Sequence, residues 1–211
     1  MSARPIDFHP ALRVLHWTMA IGMVAMLFIG VGMVSTTGPL YPELLAVHRP
    51  LGVALLALVL LRLPLRLLLG APALPEDLPG IQALAAKASH VLLYAAMAGL
   101  PLIGWAMLSA GGYPVRFAGS FTLPAILPHD LWLYAWLRLA HTLVALLFFA
   151  LILMHLSAAL MHGLVRRDGV LRSMTVGHGP ATPAKRAPLA DAAAAAGMPD
   201  NSDEDNGGII P

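Results

Sequence analysis

The sequence predicts an all-α integral membrane protein, a four-helix bundle whose chain runs up and down. Three observations predict this fold: the composition, four long apolar runs, and short turn-rich pieces between them. Of the 211 residues, 58% are hydrophobic and only 11% are charged, and the mean hydropathy is +0.76. Soluble domains carry about 25% charged residues, so water is an implausible solvent for this chain. We therefore expect it to lie in a lipid bilayer.

Four apolar runs are each long enough to cross a hydrocarbon core of about 30 Å, which takes roughly 20 helical residues. We expect helices over about residues 14–34, 45–69, 88–110 and 136–165. The second run ends with Arg62 and Arg66 on either side of Pro64, and Pro101 predicts a kink in the third. Because the connecting pieces are rich in glycine and proline, neighbouring helices should be antiparallel. Residues 1–172 then form one bundle domain.

The last part of the chain differs in composition. Residues 173–211 are rich in proline, alanine and glycine, with an acidic patch over 200–205 and no periodic apolar face. Such a segment cannot bury enough apolar surface to fold, so we expect a disordered cytoplasmic tail.

Lysine and arginine are divided unevenly between the two ends of the predicted bundle. Ten lie on the side of both termini, and only Arg49, Arg116 and Arg138 lie on the other. The positive-inside rule then places both termini in the cytoplasm, with the helices in a bacterial inner membrane. The thirteen basic residues form no block, so the composition predicts no nucleic-acid partner.

The chemistry of this chain lies in its nine histidines. The absence of cysteine excludes disulfides, thiolate metal sites, iron–sulfur clusters and covalently attached haem. Ionisable side chains inside membrane spans are costly and usually face the bundle interior, where they serve a function. Six histidines lie within or at the edges of the predicted spans: His16, His48, His90, His141, His155 and His162.

His141 and His155 lie fourteen residues apart on the fourth predicted helix. This spacing is about 3.9 turns and roughly 21 Å of rise, so both imidazoles leave the same face at different depths. By depth, His48 matches His141 and His16 matches His155; we call these the His48 pair and the His16 pair. Two cross-helix imidazole pairs inside a bundle favour two non-covalently bound haem b groups, each ligated by two histidines.

Three arginines accompany these histidines. Arg13, Arg49 and Arg138 lie close in sequence to His16, His48 and His141, respectively. Guanidinium groups form bidentate pairs with carboxylates, so we expect these arginines to bind haem propionates. For Arg13, snorkelling at the membrane surface is an equal alternative.

Short motifs around the histidines resemble the prokaryotic cytochrome b561 family, over about residues 9–174. They are Arg13-Val14-Leu15-His16-Trp17, Val47-His48-Arg49, Ala88-Ser89-His90, Leu100-Pro101-Leu102-Ile103-Gly104, and Ala140-His141-Thr142 with Met154-His155. That family is similar to the cytochrome b subunits of nickel hydrogenases and formate dehydrogenases. The resemblance implies two haem b groups, an inner one between His16 and His155 and an outer one between His48 and His141.

The resemblance also implies electron transfer across the membrane. The partners would be a donor at the outer face, with superoxide as one candidate, and ubiquinone near the inner haem. The protein would then be an electron-transfer cytochrome or an oxidoreductase of the superoxide:ubiquinone type. Because quinone reduction consumes protons, we expect titratable or polar groups at the inner level to serve the quinone. The candidates are His90, His162, Ser89 and Asp168.

Several alternatives stay open. His90 and His162 could instead be substitute ligands or propionate partners. The chain could be a haem-b membrane-anchor subunit of a multi-subunit dehydrogenase or hydrogenase, which needs a redox partner subunit. A histidine-lined divalent metal transporter is the alternative of another class. It is disfavoured because residues 45–69 and 88–110 contain no carboxylate, which divalent cation pathways usually use.

Overall fold

The computed structural model describes residues 7–73, 78–117 and 121–177. Its long helices are α1 (Pro10–Ser35), α2 (Leu40–Leu69), α3 (Gly80–Ala110) and α4 (Leu131–Leu160). All four are long and apolar enough to span a membrane, which confirms the predicted four-helix membrane bundle. Each begins a turn or two before the predicted start. The first turns of α1, α2 and α3 contain polar residues or proline and continue the helix beyond its apolar stretch, whereas α4 begins directly after the capping residue Asp130.

The helices pack in chain order, α1 on α2, α2 on α3 and α3 on α4, so the chain runs up and down. We call the end where α1 begins and α4 ends the terminal end, and the opposite end the hairpin end. Helix α3 remains continuous through Pro101.

A short β-hairpin, which hydropathy does not predict, joins α3 to α4. Strand β1 (Val115–Phe117) pairs antiparallel with β2 (Phe121–Leu123). Gly112, with φ of 72°, reverses the chain after α3 in a conformation that favours glycine. The Trp105 indole N–H donates to the Pro124 carbonyl over 2.9 Å and thereby holds the hairpin against α3.

At the terminal end, α4 continues as a π-helical turn over Met161–Arg166 and then reverses into the short helix α5 (Val170–Met174). Arg167 (φ 53°) and Gly169 (φ 82°) make this reversal in left-handed conformations. The Trp17 indole N–H donates to the Met174 carbonyl over 3.1 Å, which places α5 against the start of α1. The described chain thus continues to Gly177, past the predicted bundle boundary at 172. The rest of the predicted tail, 178–211, lies outside the described residues.

The buried core is one apolar layer in the middle of the bundle. It consists of Met19, Met23, Leu55, Val59, Leu93 and Phe148, which come from all four long helices. Many apolar side chains on the outside are instead exposed, among them Phe28 (75%) and Leu68 (81%). An apolar exterior around helices whose backbone bonds are internal is what a bilayer solvent requires.

Helix α4 begins with a side-chain cap. The Asp130 carboxylate accepts hydrogen bonds from the amides of Trp132 (2.9 Å) and Leu133 (3.0 Å). The Asp130 amide donates to the Ala110 carbonyl at the end of α3, so the cap also joins the two helices.

We expect Asp130→Ala to lower the free energy of unfolding by about 1 kcal/mol, because two amides at the start of α4 lose their acceptor. Thermal unfolding in detergent measures this as a lower apparent melting temperature. Asp130→Asn is the matched control, since asparagine is an equally good cap. Equal losses in both variants would contradict the capping role.

Candidate functional site

The structure brings together both histidine pairs that the sequence predicts. The ring centres of His16 on α1 and His155 on α4 lie 6.3 Å apart, with ring planes at 70°. Those of His48 on α2 and His141 on α4 lie 6.2 Å apart, with planes at 66°. Helix α4 therefore contributes one imidazole to each of two sites at different depths.

The two separations match the size of a single metal ion between two imidazoles. A bond from imidazole nitrogen to metal is about 2 Å long, so two such bonds on opposite sides of one ion place the ring centres about 6 Å apart. Both pairs have this separation. Both separations are therefore compatible with one metal ion between the two rings.

Three buried polar atoms support a ligand at the His48 pair. In the part of the chain that the structure describes, His48 Nδ1, His141 Nδ1 and Arg49 Nε are buried and form no hydrogen bond. Buried polar atoms in folded proteins nearly always have a partner, so three together indicate a site for a polar or anionic group. Arg49 points to an anion, because a guanidinium is always charged.

Gly104 on α3 leaves room for the His141 ring. A Cβ built at this position would lie 3.4 Å from His141 Cε1, which is van der Waals contact, so atoms beyond Cβ on that side would meet the ring. Gly22 on α1 differs, because a Cβ there would lie 2.9 Å from Leu55 Cδ2. Gly22 therefore serves helix packing, whereas Gly104 serves the site.

The apolar core layer lies between the two pairs. Phe148 falls midway between His141 and His155 on α4, and Met19 follows His16 by about one helical turn. Although α1 and α4 carry the His16 pair, they approach each other much less closely than neighbouring helices do. The apolar core layer therefore separates the two pairs along the bundle.

His90 on α3 joins the His16 pair. Its ring centre lies 5.6 Å from that of His155, with planes at 79°. Its Nδ1 lies 2.7 Å from the Ala86 carbonyl, and a carbonyl only accepts, so Nδ1 carries the proton. In the neutral ring Nε2 then keeps a free lone pair that can bind a proton or a metal. Ser89, the neighbouring candidate, donates its hydroxyl proton to the same Ala86 carbonyl.

The predicted arginines occupy different surroundings. Arg49 is half-buried beside the His48 pair. Arg13 lies at the terminal end next to Gly177, where a Cβ added to that glycine would lie 2.7 Å from Arg13 Nη1. Arg138 is exposed on α4. Of the three, Arg49 has the placement that best suits an interior anion.

Arg62 is a site residue that the sequence predicts only as one of the ten basic residues on the side of both termini. Its side chain is buried, with 5% exposed, within α2. Its Nε donates to the Tyr94 hydroxyl over 3.1 Å, and its Nη1 donates to the Leu12 carbonyl over 2.6 Å. The position of this arginine within a predicted apolar run could have indicated its inward placement, because charged groups inside membrane spans usually face the bundle interior.

A cavity of about 500 Å³ opens between α2 and α3 at the terminal end. The lining of this cavity is apolar except for three polar side chains, those of Arg66, His90 and Tyr94. The remaining lining residues are Leu63, Leu67, Gly70, Ala71 and Val91. An apolar cleft with a few polar groups is the usual form of a small-molecule site.

His162 and Asp168 form a polar cluster that closes the turn after α4. Asp168 Oδ2 lies 2.5 Å from His162 Nδ1 and accepts a bond from Arg166 Nε over 3.1 Å, while Oδ1 accepts from the Val170 amide over 3.2 Å. Burial alone would raise the pKa of Asp168, but these hydrogen bonds together outweigh burial and lower the pKa below its ordinary value of 3.8. The ionised carboxylate therefore stabilises the segment 161–177.

This stabilisation predicts a pH dependence. Because the pKa of Asp168 is lowered in the folded protein, its contribution is fully present above the ordinary value and is lost as the pH falls through the lowered one. We expect hydrogen exchange in residues 161–177, corrected for intrinsic rates, to show protection that decreases below about pH 4. Asp168→Asn should already lose protection at neutral pH, by roughly fivefold for a net hydrogen-bond contribution of about 1 kcal/mol. Glu43→Gln at the hairpin end is the control, and an Asp168→Asn protein with wild-type protection at every pH would contradict the role.

The sequence also matches known proteins. The sequence model of a family described as prokaryotic cytochrome b561 matches residues 7–177, which include every helix described above. Cytochrome b561 homolog 2 of Escherichia coli (strain K12) is 28% identical over 162 residues, covering 75% of this chain and 86% of that protein. Cytochrome b561 homolog 1 of the same organism is 28% identical over 127 residues, covering 60% and 72%, respectively.

Proposed function

The chain belongs to the prokaryotic cytochrome b561 family, and on this premise we propose that it carries two haem b groups and transfers electrons between a donor at the hairpin end and ubiquinone at the terminal end. A membrane b-type cytochrome in electron transfer is what the family establishes. The observation that carries the finer proposal is the pair of imidazole separations, 6.3 Å and 6.2 Å, at two depths of one bundle.

The four paired histidines hold the cofactors in this proposal. His16 and His155 ligate one haem, and His48 and His141 ligate the other. When bound, a haem b supplies reversible one-electron chemistry at its iron, with a potential set by the ligands and their surroundings. Arg49 pairs with a propionate of the haem at the His48 pair, which gives its buried Nε a partner. Arg13 has the same role at the terminal end, and Arg138 reaches a propionate only from the surface of α4.

Ubiquinone binds in the cavity between α2 and α3. A quinone head group is an apolar ring with two carbonyl acceptors, and the Tyr94 hydroxyl and the Arg66 guanidinium offer donors in an apolar lining. Reduction of the quinone to the quinol takes two electrons and two protons. The Nε2 atom of His90 binds and delivers a proton there, because the Ala86 carbonyl fixes the proton on Nδ1 in the neutral ring.

The His162–Asp168 cluster supplies protons from the water at the terminal end. The carboxylate holds His162 Nδ1, so Nε2 is the atom that exchanges a proton with solvent. Ser89 contributes by sharing the Ala86 carbonyl with His90, which positions that ring.

In the proposed orientation, the bundle lies in a bacterial inner membrane with both termini in the cytoplasm. The uneven division of lysine and arginine supports it. The donor then meets the hairpin end at the outer face, and superoxide is one small donor of suitable chemistry. A redox partner subunit docked at that face is the alternative.

The side-chain arrangement favours this function over divalent metal transport. Within the described ranges, no group of three or more histidine, aspartate or glutamate side chains is arranged to hold a bare metal ion. The facing imidazoles of the His16 pair and the His48 pair suit a metal that brings further ligands of its own, as haem iron does, and His90 adjoins the first of these pairs.

Substituting any one paired histidine should remove one haem. We expect His16→Ala, His155→Ala, His48→Ala and His141→Ala each to lower the haem-to-protein ratio from two to about one, because no apolar neighbour replaces an axial imidazole. A pyridine haemochrome assay on purified protein measures the ratio, and the α bands of the reduced spectrum show which haem is lost. His129→Ala, at an exposed position, is the control. Retention of two haems in any of the four variants would exclude that residue as an essential ligand.

Substituting His90 should separate quinone reduction from haem binding. We expect His90→Ala to keep both haems yet slow reoxidation of the reduced protein by a soluble quinone analogue, by about 100-fold for the loss of a positioned proton carrier. Stopped-flow absorbance measures the rate, and Gln82→Ala, an exposed substitution on the same helix, is the control. An unchanged rate would remove His90 from the quinone site, and loss of a haem would identify it as a ligand.

A further inference from the structure

Arg62 is a buried charge inside a membrane span. It lies within α2, and its side chain is 5% exposed. Because an arginine guanidinium does not deprotonate in proteins, this charge is permanent. A permanent charge in a bilayer is costly and is usually retained for a function.

The hydrogen-bond partners of Arg62 are neutral. The Tyr94 hydroxyl and the Leu12 carbonyl accept its bonds, so they satisfy the donors but do not cancel the charge. In the described part of the chain, no acidic side chain forms an ion pair with it; the four described acidic residues are Asp7, Glu43, Asp130 and Asp168. The positive charge of Arg62 therefore changes the electrostatic potential at neighbouring groups.

Both hydrogen-bond partners of Arg62 lie one helical turn from a histidine at the terminal end. In the regular helix α1, the Leu12 carbonyl also accepts the amide of His16, so Arg62 is held one turn from that ligand. Tyr94, its other partner, lies one turn after His90, whose ring adjoins His155.

We propose that Arg62 is a redox-tuning residue, whose uncompensated charge raises the reduction potential of the haem held by the His16 pair. This inference rests on the proposed function. Reduction lowers the positive charge of the haem iron by one, so a nearby cation in a medium of low dielectric constant stabilises the reduced form. The His48 pair lies about 21 Å away along α4 and should feel the charge much less.

Such tuning favours electron transfer in one direction through the bundle. Raising the potential at the terminal end alone makes that haem the favoured place for an electron that enters from the hairpin end. The electron is then held at the end of the bundle that contains the cavity lined by His90 and Tyr94.

Spectroelectrochemical titration of the holoprotein, with the two haems resolved by their α bands, tests the proposal. We expect Arg62→Gln to shift the equilibrium of the His16-pair haem toward the oxidised form by about tenfold, which is 59 mV for a one-electron couple. The haem of the His48 pair should keep its potential and serves as the internal reference. Arg62→Lys keeps the charge but not the paired bonds, and should retain most of the potential.

A second variant covers the case in which Arg62→Gln does not fold. Tyr94→Glu places a carboxylate beside the guanidinium while leaving the bond to Leu12, so it should lower the same potential without removing Arg62. Unchanged potentials in both variants would overturn the proposal. An equal fall in Arg62→Lys and Arg62→Gln would also overturn it, since that result assigns the effect to packing.

Failure of the proposed function would look different. Wild-type protein with fewer than two haems, or His16→Ala protein that retains both spectral components, would contradict the ligand assignment itself. If the protein binds two haems and loses one in each histidine variant, but substitutions of Arg62 leave both potentials unchanged, only the role of Arg62 is contradicted.

Discussion

The structure depends on one constraint: a polar group inside a hydrocarbon layer must find its partner within the protein. Among the ionisable side chains inside the spans, the four imidazoles of the His16 and His48 pairs and the guanidinium of Arg62 turn toward the bundle interior. Lipid tails are as apolar as leucine, so leucine-rich faces give these helices little preference for one another. The polar groups therefore decide which helix faces turn inward.

The same constraint explains how the helices are joined. Contacts between elements repeatedly involve one polar group and a main-chain partner. Arg62 reaches the Leu12 carbonyl, Trp17 the Met174 carbonyl and Trp105 the Pro124 carbonyl. Each such bond is worth little in water but is favoured where no water competes. The apolar layer around Leu55 and Phe148 then separates two polar levels rather than forming one continuous core.

This division suits electron transfer. A dry apolar layer keeps the dielectric constant low around both levels, so a single fixed charge can give two centres with the same ligands different potentials. In the proposed function, proton exchange belongs to the terminal end, where His90 lines a cavity and His162 adjoins Asp168. At the hairpin end, a short hairpin lies over the ends of the helices. Two sites built from similar residues can thus perform different tasks because their surroundings differ.

The sequence by itself determined the four spans and the likeness of the two histidine levels, because apolar length and the fourteen-residue interval between His141 and His155 are local, periodic properties. Depth along the membrane also identified His48 and His16 as their partners, and the structure brings those rings together. Only the tertiary structure decided that Arg62 turns inward to Leu12 and Tyr94, that His90 adjoins His155, and that Asp168 closes a π-helical turn. The rotation of one helix against its neighbours determines these contacts. That rotation arises from many side chains distant in sequence, so no local pattern contains it.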